Sequence, residues 1–528
     1  MDDTPPGRLG RRGFLRLAGV AATASVAGWG GPGRPEGPSQ GRLGGSLAAA
    51  PASARPAASP GTAPSPRPVP ERLLPGDPHW RLRRYGPQEA VEAYCDQVSV
   101  LPGETAWLHM STTAERVRVT AYRMGWYGGA LARAVWRSGP VRGHRQSPGR
   151  FAPATRTNYA AWGRSLAIPT EGWPEGAYLL RLDADHGPQR YVPLIVRSAS
   201  GAGRTVLVHA AATWQAYNRW GGSSLYYGED GRYLSRSLAV SFDRPYDKTG
   251  IKKFLVHERP VVELAERLGL PLAYTTGVDL DAGGEVLDGA SAVVFLGHDE
   301  YWTPQARRRV TGARDAGVNL AFLGANSCYR RVRLEKGRRL VVCYKTDVTG
   351  DPLYGRRPSL VTTDFRAAPA PDPESSLVGV YYDGYPADAP YVVRAPRHWA
   401  FAGTGVERGD AFPHLVGVEY DRVTPQVPTP RPLQILSHSP LTCVGRPSFA
   451  DSAYYTAPGG AGVFATGTMR WAEALMAGTR DSLQAHGIGA RTRRFVTTVT
   501  ENVLRGFAEG PAAARLPTPD DDVDKVYR

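Results

Sequence analysis

Apolar and polar positions follow two different patterns along the chain. From about residue 76 to residue 197, short alternating runs are separated by Gly and Pro turns: Cys95–Val100, Thr105–Met110, Val117–Tyr122, Ala177–Leu182 and Val192–Val196. Strand-length runs at this spacing, with no helical period, predict an antiparallel β-sandwich of immunoglobulin-like type. After residue 204 the pattern changes. Thr205–His209, Leu270–Thr275, Ser291–Gly297 and Val318–Leu323 read as strands buried in a sheet, with a further strand at Gly462–Thr466. Helical segments lie among them at Phe254–Leu268, from Pro304 to about Ala316, and at the amphipathic Phe495–Phe507. Thr303 as N-cap, Pro304 at the first helical position and Gly317 beyond the end punctuate the second of these.

The order strand, helix, strand, strand, helix, strand predicts a doubly wound α/β sheet of class I amidotransferase-like (flavodoxin-like) topology. The predicted fold is therefore all-β followed by α/β. Residues 330–460 are rich in Pro and Gly and are expected to form a long, less regular insertion. No internal repeat and no P-loop occurs.

The N-terminus modifies this picture. Arg11-Arg12-Gly13-Phe14-Leu15-Arg16 precedes a modest apolar stretch, Leu17–Ala27, too short and weak to span a membrane comfortably. It resembles a twin-arginine export signal, so an extracellular or cell-surface location is expected. A low-complexity Pro, Gly, Ala and Ser stretch follows, which cannot bury a core and is expected to act as a tether. The expected organisation is a signal peptide over 1–30, a tether over 31–75 and a β-sandwich over 76–200. An α/β domain with its insertion follows over 201–512, then a C-terminal tail over 513–528.

At 528 residues the chain can bury more than one core, and a hydrophobic fraction of 42% is that of a globular protein. The net charge of +15 invites a nucleic-acid reading. Lysine is confined to positions 248, 252, 253, 336, 345 and 525, however, and arginine is spread along the whole chain. No basic stripe interleaved with aromatics is present, so no nucleic-acid partner is expected. Cys95, Cys328, Cys343 and Cys443 lack metal-ligand spacing. Pairing of Cys328 with Cys343 and separate buried thiols both remain open.

Candidate chemistry collects where strands end. Ser291–Gly297 runs straight into His298-Asp299-Glu300, and Val318–Leu323 into Gly324-Ala325-Asn326-Ser327. The carboxyl edge of an open α/β sheet is where ligands bind. A third strand end delivers Thr213–Tyr226, a run at once aromatic, polar and glycine-rich, as suits a ligand-facing loop. A cysteine nucleophile on a sharp turn and a GxSxG elbow are both absent, which disfavours nucleophilic catalysis. His298, Glu300, Asn326, Lys345, Glu419 and the tyrosines remain, a set suited to hard-metal chemistry or proton transfer. Each has a plain structural reading too, such as a helix-end charge for Glu300 or a turn former for Asn326.

The ordered motifs AYRMGWYGG, TWQAYNRWGGSSLY, FLGHDEYWT, GVNLAFLGAN, CYKTD and GVEYD resemble the large (β) subunit of N,N-dimethylformamidase, in its carboxyl-terminal domain and the β-domain before it. The resemblance covers roughly residues 80–510. It implies a mononuclear non-haem iron (Fe3+) bound by two tyrosine phenolates and one glutamate, and hydrolysis of an amide. Carried over by motif, Glu300 is the implied carboxylate ligand and Tyr217 one phenolate. Tyr178, on the penultimate strand of the β-domain, is the expected second phenolate. His298, Asn326, Lys345 and Glu419 are then expected to line the pocket and to move protons or stabilise an oxyanion. A small-molecule amide is the implied substrate and a homo-oligomer is compatible with the chain. The family's small partner subunit is not evident, and the signal and tether depart from the family pattern. Two other readings compete: a non-catalytic extracytoplasmic protein binding carbohydrate or another ligand, and a structural surface protein.

Overall fold

The structure is a computed structural model that describes residues 69–483, 486–517 and 519–528. The expected signal and nearly all of the expected tether lie outside the described residues. Arg67–Arg528 forms one compact unit.

Two β-sheets make up its first part. Val91–Cys95, Thr105–Thr112 and Leu166–Pro169 form one, antiparallel throughout. The other orders Ser99–Val100, Gln189–Val196, Gly176–Ala184, Arg116–Met124 and Ala132–Arg137. Alternation along the strands explains their packing: Ala106, Leu108 and Met110 face Val117, Val119, Leu180 and Leu182 in one shared core. The single strand expected over Cys95–Val100 is broken. The chain leaves the first sheet at Cys95 and joins the second at Ser99, where it pairs in parallel with Ile195.

The second part is built on a seven-stranded sheet: β1 (Thr205–His209), β2 (Leu272–Thr276), β3 (Ala292–Phe295), β4 (Asn319–Phe322), β5 (Leu433–Cys443), β6 (Arg446–Thr456) and β7 (Gly462–Ala465). The spatial order is β2-β1-β3-β4-β7-β6-β5. The first five strands run parallel, and β6 and β5 add an antiparallel edge. Both faces are covered, which is why the core strands read as unbroken apolar runs. Leu207, Val294, Ala321 and Phe464 pack with helices α1 (Ala211–Tyr217), α2 (Lys248–His257), α3 (Arg259–Leu268) and α5 (Ala490–Ala508). Val206, Val208, Val293, Phe295, Leu320 and Phe322 pack on the other side with α4 (Pro304–Asp315). The α4 cap is as the sequence predicts: Thr303 Oγ1 accepts from Ala306 N at 3.1 Å.

Three further expectations are corrected. Phe254–Leu268 is not one helix: the chain turns at Glu258, whose carboxylate reaches inward to His209 and the Trp214 indole, and α3 restarts with Pro260 in its first turn. The run after β1 is not all loop, since its first part is α1. Residues 330–460 are more regular than expected. They hold the long hairpin Tyr381–Val392 with Ala411–Arg422, and they supply β5 and β6. All four cysteines are buried free thiols, and Cys328 Sγ accepts from Arg307 Nη1. No helix of the described residues is long and apolar enough to cross a membrane.

Candidate active site

The strand order reverses between β1 and β3, so the segments after them diverge and leave a crevice at the carboxyl edge. Backbones meet closely there. A Cβ on Gly297 would lie 2.3 Å from the His257 carbonyl oxygen, and one on Gly324 would lie 2.4 Å from that of Gly297. Thr213, in the first turn of α1, ties the two sides together. Its Oγ1 accepts from the backbone N–H of Glu300 at 3.2 Å and of Tyr301 at 3.4 Å.

Glu300 is the centre of the cluster and is 1% exposed. Its Oε2 accepts from two phenols, Tyr217 at 3.1 Å and Tyr226 at 2.5 Å, whose ring centroids lie 4.4 Å apart. The His298 Nε2 lies 3.0 Å from the Tyr217 hydroxyl and 3.6 Å from the same Oε2. The other carboxylate oxygen, Oε1, accepts from Arg330 Nε at 3.3 Å, and Arg330 is held in turn by Asp364. Tyr217 and Tyr226 are half-buried as residues, while Glu300 beneath them is enclosed.

A second layer of groups stands around this core. Asn326 donates from Nδ2 to Glu419 Oε2 at 2.7 Å, and that oxygen lies 4.0 Å from His298 Nδ1. Each phenol ring carries an ammonium on its face, Lys253 over Tyr217 at 3.7 Å and Lys345 over Tyr226 at 3.4 Å. Asn326 and Lys345 both hold left-handed backbone, with φ of 58° and 56°. Such conformations are sparsely populated for residues with a Cβ and gather at functional sites. Buried and without a hydrogen bond to the protein are His298 Nδ1, Asn326 Oδ1, Lys345 Nζ and the Tyr301 hydroxyl.

Burial pushes the Glu300 carboxyl up, but its contact with His298 and the Lys345 and Arg330 charges overcome this and hold it well below the usual range. Burial and the Glu300 charge push both the Tyr217 and Tyr226 phenols well up. Glu419 is likewise raised, chiefly by burial, and Lys345 is pulled down to about 7 by burial and by Arg330. The cluster is therefore one carboxylate whose Oε2 accepts from two neutral phenols.

The structure thus brings together Tyr217, His298, Glu300, Asn326, Lys345 and Glu419. It places Tyr178 elsewhere. That residue is fully buried in the core of the β-region, stacked on Trp173, and its hydroxyl donates to the Pro174 carbonyl at 2.6 Å. Its strand alternation turns it into the sheet-on-sheet core, away from the crevice. Tyr226 stands where a second phenol was expected. The signal for it lay in the same glycine-rich run as Tyr217, nine positions on. Thr213, which opens the Thr213–Tyr226 run, also belongs to the site, as do Lys253 and Arg330, which carry no sequence signal beyond proximity to the motifs.

No group of three His, Cys, Asp or Glu side chains placed to hold a metal occurs among the described residues. Two phenol oxygens that meet on one carboxylate oxygen form a hard, all-oxygen donor set, and releasing both phenol protons would give it three negative charges. That chemistry fits a trivalent cation such as ferric iron.

Residues 118–484, well over half of the chain, match the family described as N,N-dimethylformamidase beta subunit-like, C-terminal. No curated protein sequence matches the chain. Among solved structures, one similarity is to a Paenibacillus sp. cycloisomaltooligosaccharide glucanotransferase in complex with cycloisomaltoheptaose. It has 10% identity over 79% of this chain and 80% of that one, with a TM-score of 0.17. A likeness that low carries no inference about fold or activity.

Proposed function

The chain belongs to the N,N-dimethylformamidase beta subunit-like family, and from that premise we propose that it is an iron-dependent hydrolase of a small, non-peptide amide. The observation that carries this reading is the convergence of Tyr217 and Tyr226 on Glu300 Oε2. Those three side chains would hold the ion, with Arg330 keeping Oε1 occupied on the far side. A bound ferric ion would supply Lewis acidity toward the amide carbonyl and toward water.

The remaining steps fall to side chains of this chain. Glu419, oriented by Asn326, accepts a proton from the attacking water as the new C–O bond forms. Lys345 makes no hydrogen bond to the protein and donates one to the developing oxyanion. As the C–N bond breaks, the proton held at Glu419 passes to the leaving amine. His298 sits between Tyr217 and Glu419, holding the Tyr217 hydroxyl through Nε2 and facing Glu419 with Nδ1 at 4.0 Å. No side-chain nucleophile is needed.

The architecture supports the same reading. The β2-β1-β3-β4-β7 order, with its last strand supplied after a long insertion, supports reading the sheet as flavodoxin-like and amidotransferase-like, and the two sheets before it as immunoglobulin-like. Arg11-Arg12 and the apolar stretch after them support export by the twin-arginine route.

The test is elemental analysis and a visible spectrum of the protein folded with iron supplied, followed by an amine-release assay on small N-alkylated amides. Near-stoichiometric iron, a tyrosinate charge-transfer band and amine release are expected, all three lost in Glu300→Gln. Absence of bound iron, or full activity in that variant, would overturn the mechanism.

A further inference from the structure

The two phenols come from one loop, and that loop is built around a single buried side chain outside it. Tyr217 ends α1 and Tyr226 lies nine residues later, with the non-helical Gly221 (φ 77°) and Gly222 (φ 91°) reversing the chain between them. The loop closes where Leu225 N donates to the Ala216 carbonyl at 3.1 Å. This bond makes Tyr217 and Tyr226 neighbours.

A closed loop inside a protein leaves backbone carbonyls facing inward without ladder partners. Arg244 fills that space and is 0% exposed. Its Nη2 donates to the carbonyls of Gln215 at 2.8 Å and Asn218 at 3.0 Å. Its Nη1 donates to those of Ser223 at 3.2 Å and Trp220 at 3.4 Å, and its Nε to Gln215 Oε1 at 3.0 Å. Every acceptor lies between residues 215 and 223. Among the described residues Arg244 has no carboxylate partner, so its donors are committed to the shape of this loop.

We propose that Arg244 is a positioning residue that sets the separation of the Tyr217 and Tyr226 phenols and thereby assembles the oxygen donor set at Glu300. This rests on the reading of that set as a metal site, but the clamp acts on the loop whether or not an ion is bound. A planar guanidinium directs five N–H groups in fixed directions, and here they meet carbonyls on both arms of the loop. A lysine ammonium has three donors on a point charge and cannot span both arms. Arg244→Lys is therefore a severe change at this position although it keeps the charge.

The experiment uses the full chain without metal, with 3-fluorotyrosine introduced at position 217, 226 or, as a control in the β-region core, 178. In the Arg244→Lys variant the 19F resonances at 217 and 226 are expected to shift and broaden while that at 178 stays unchanged and the circular dichroism stays native. The same variant, supplied with iron, is expected to lose at least tenfold in iron occupancy and in tyrosinate band intensity. Unchanged resonances at 217 and 226, with only a lowered melting temperature, would overturn the proposal. If Arg244→Lys does not fold, Gln215→Ala removes the side-chain acceptor of the clamp, an oxygen that also accepts from Asn218 Nδ2 at 3.0 Å within the same loop. Partial broadening at 217 and 226 supports the proposal there, and unchanged signals refute it. A wild-type protein that binds no iron would defeat the hydrolase reading and leave the metal-free 19F result to decide the role of Arg244.

Discussion

Arg123 and Glu266 form a buried ion pair at 2.5 Å that joins the β-region to the α/β region, with side chains only 5% and 8% exposed. Arg123 lies on the strand Arg116–Met124 and Glu266 on α3. The same carboxylate oxygen accepts from the Tyr274 hydroxyl on β2, while Arg123 also donates to Tyr127, which donates to Glu71. Removing one partner strands the other charge in a dry interface, a loss of about 3–5 kcal/mol in comparable pairs. Arg123→Met is therefore expected to lower denaturant stability by that order, and Arg123→Met/Glu266→Leu to recover much of it. A double variant no more stable than the single would show that the network, not the pair, carries the junction.

The parts of this molecule legible in the sequence are those where local pattern and tertiary role coincide. The runs that became β1, β3 and β4 are apolar because both faces of the sheet are covered, and α4 announces itself through Thr303 and Pro304. The strands β5 and β6 did not stand out because they lie in a Pro- and Gly-rich stretch and alternate only in part. The candidates on strand ends, His298, Glu300 and Asn326, stood out because a polar cluster follows an apolar run directly, and the structure gathers them in one crevice. Tyr178 was misplaced because spacing along the chain says nothing about which face of a β-strand a side chain takes. Arg244 gave no signal at all: an arginine that bonds only to carbonyls leaves no partner to find in the sequence.

Lys345 offers a test of the division of labour in the crevice. Its Nζ lies over the Tyr226 ring and makes no hydrogen bond to the protein. If it serves the developing oxyanion, Lys345→Met should reduce kcat by about 10²–10³-fold, as loss of one such donor typically does. KM should change little, and iron occupancy should stay near that of the wild type. Steady-state amine release with parallel iron analysis checks this. A loss of iron together with activity would assign Lys345 to the stability of the phenol pair.

The C-terminal residues, expected as a tail, hold the edge of the sheet. Asp522 Oδ1 accepts from the backbone N–H of Ile435 at 2.9 Å, its Oδ2 accepts from Arg394 Nε at 3.2 Å, and Val523 is fully buried. Ile435 lies on β5, the strand at the antiparallel edge of the sheet. Asp522→Ala should leave that buried N–H unsatisfied and lower stability by about 1–3 kcal/mol, with Asp522→Asn retaining most of it because an acceptor remains. Equilibrium denaturation distinguishes the two, and equal losses would mean that the charge on Asp522 matters more than its acceptor.

Tyr226 and Tyr178 make opposite predictions from the same substitution. Tyr226 shares Glu300 Oε2 with Tyr217, so Tyr226→Phe removes one of three donors and should abolish most of the tyrosinate band and weaken iron retention at least tenfold. The fold should survive, since the ring still packs on Tyr217 at 4.4 Å. Tyr178→Phe removes only a hydrogen bond to the Pro174 carbonyl in the β-region core. It should lower stability by about 1 kcal/mol and leave the band and the iron content untouched. Visible spectra and thermal melts of the two variants, made side by side, decide the matter. Loss of the band in Tyr178→Phe and its retention in Tyr226→Phe would move the donor set away from the α1 loop.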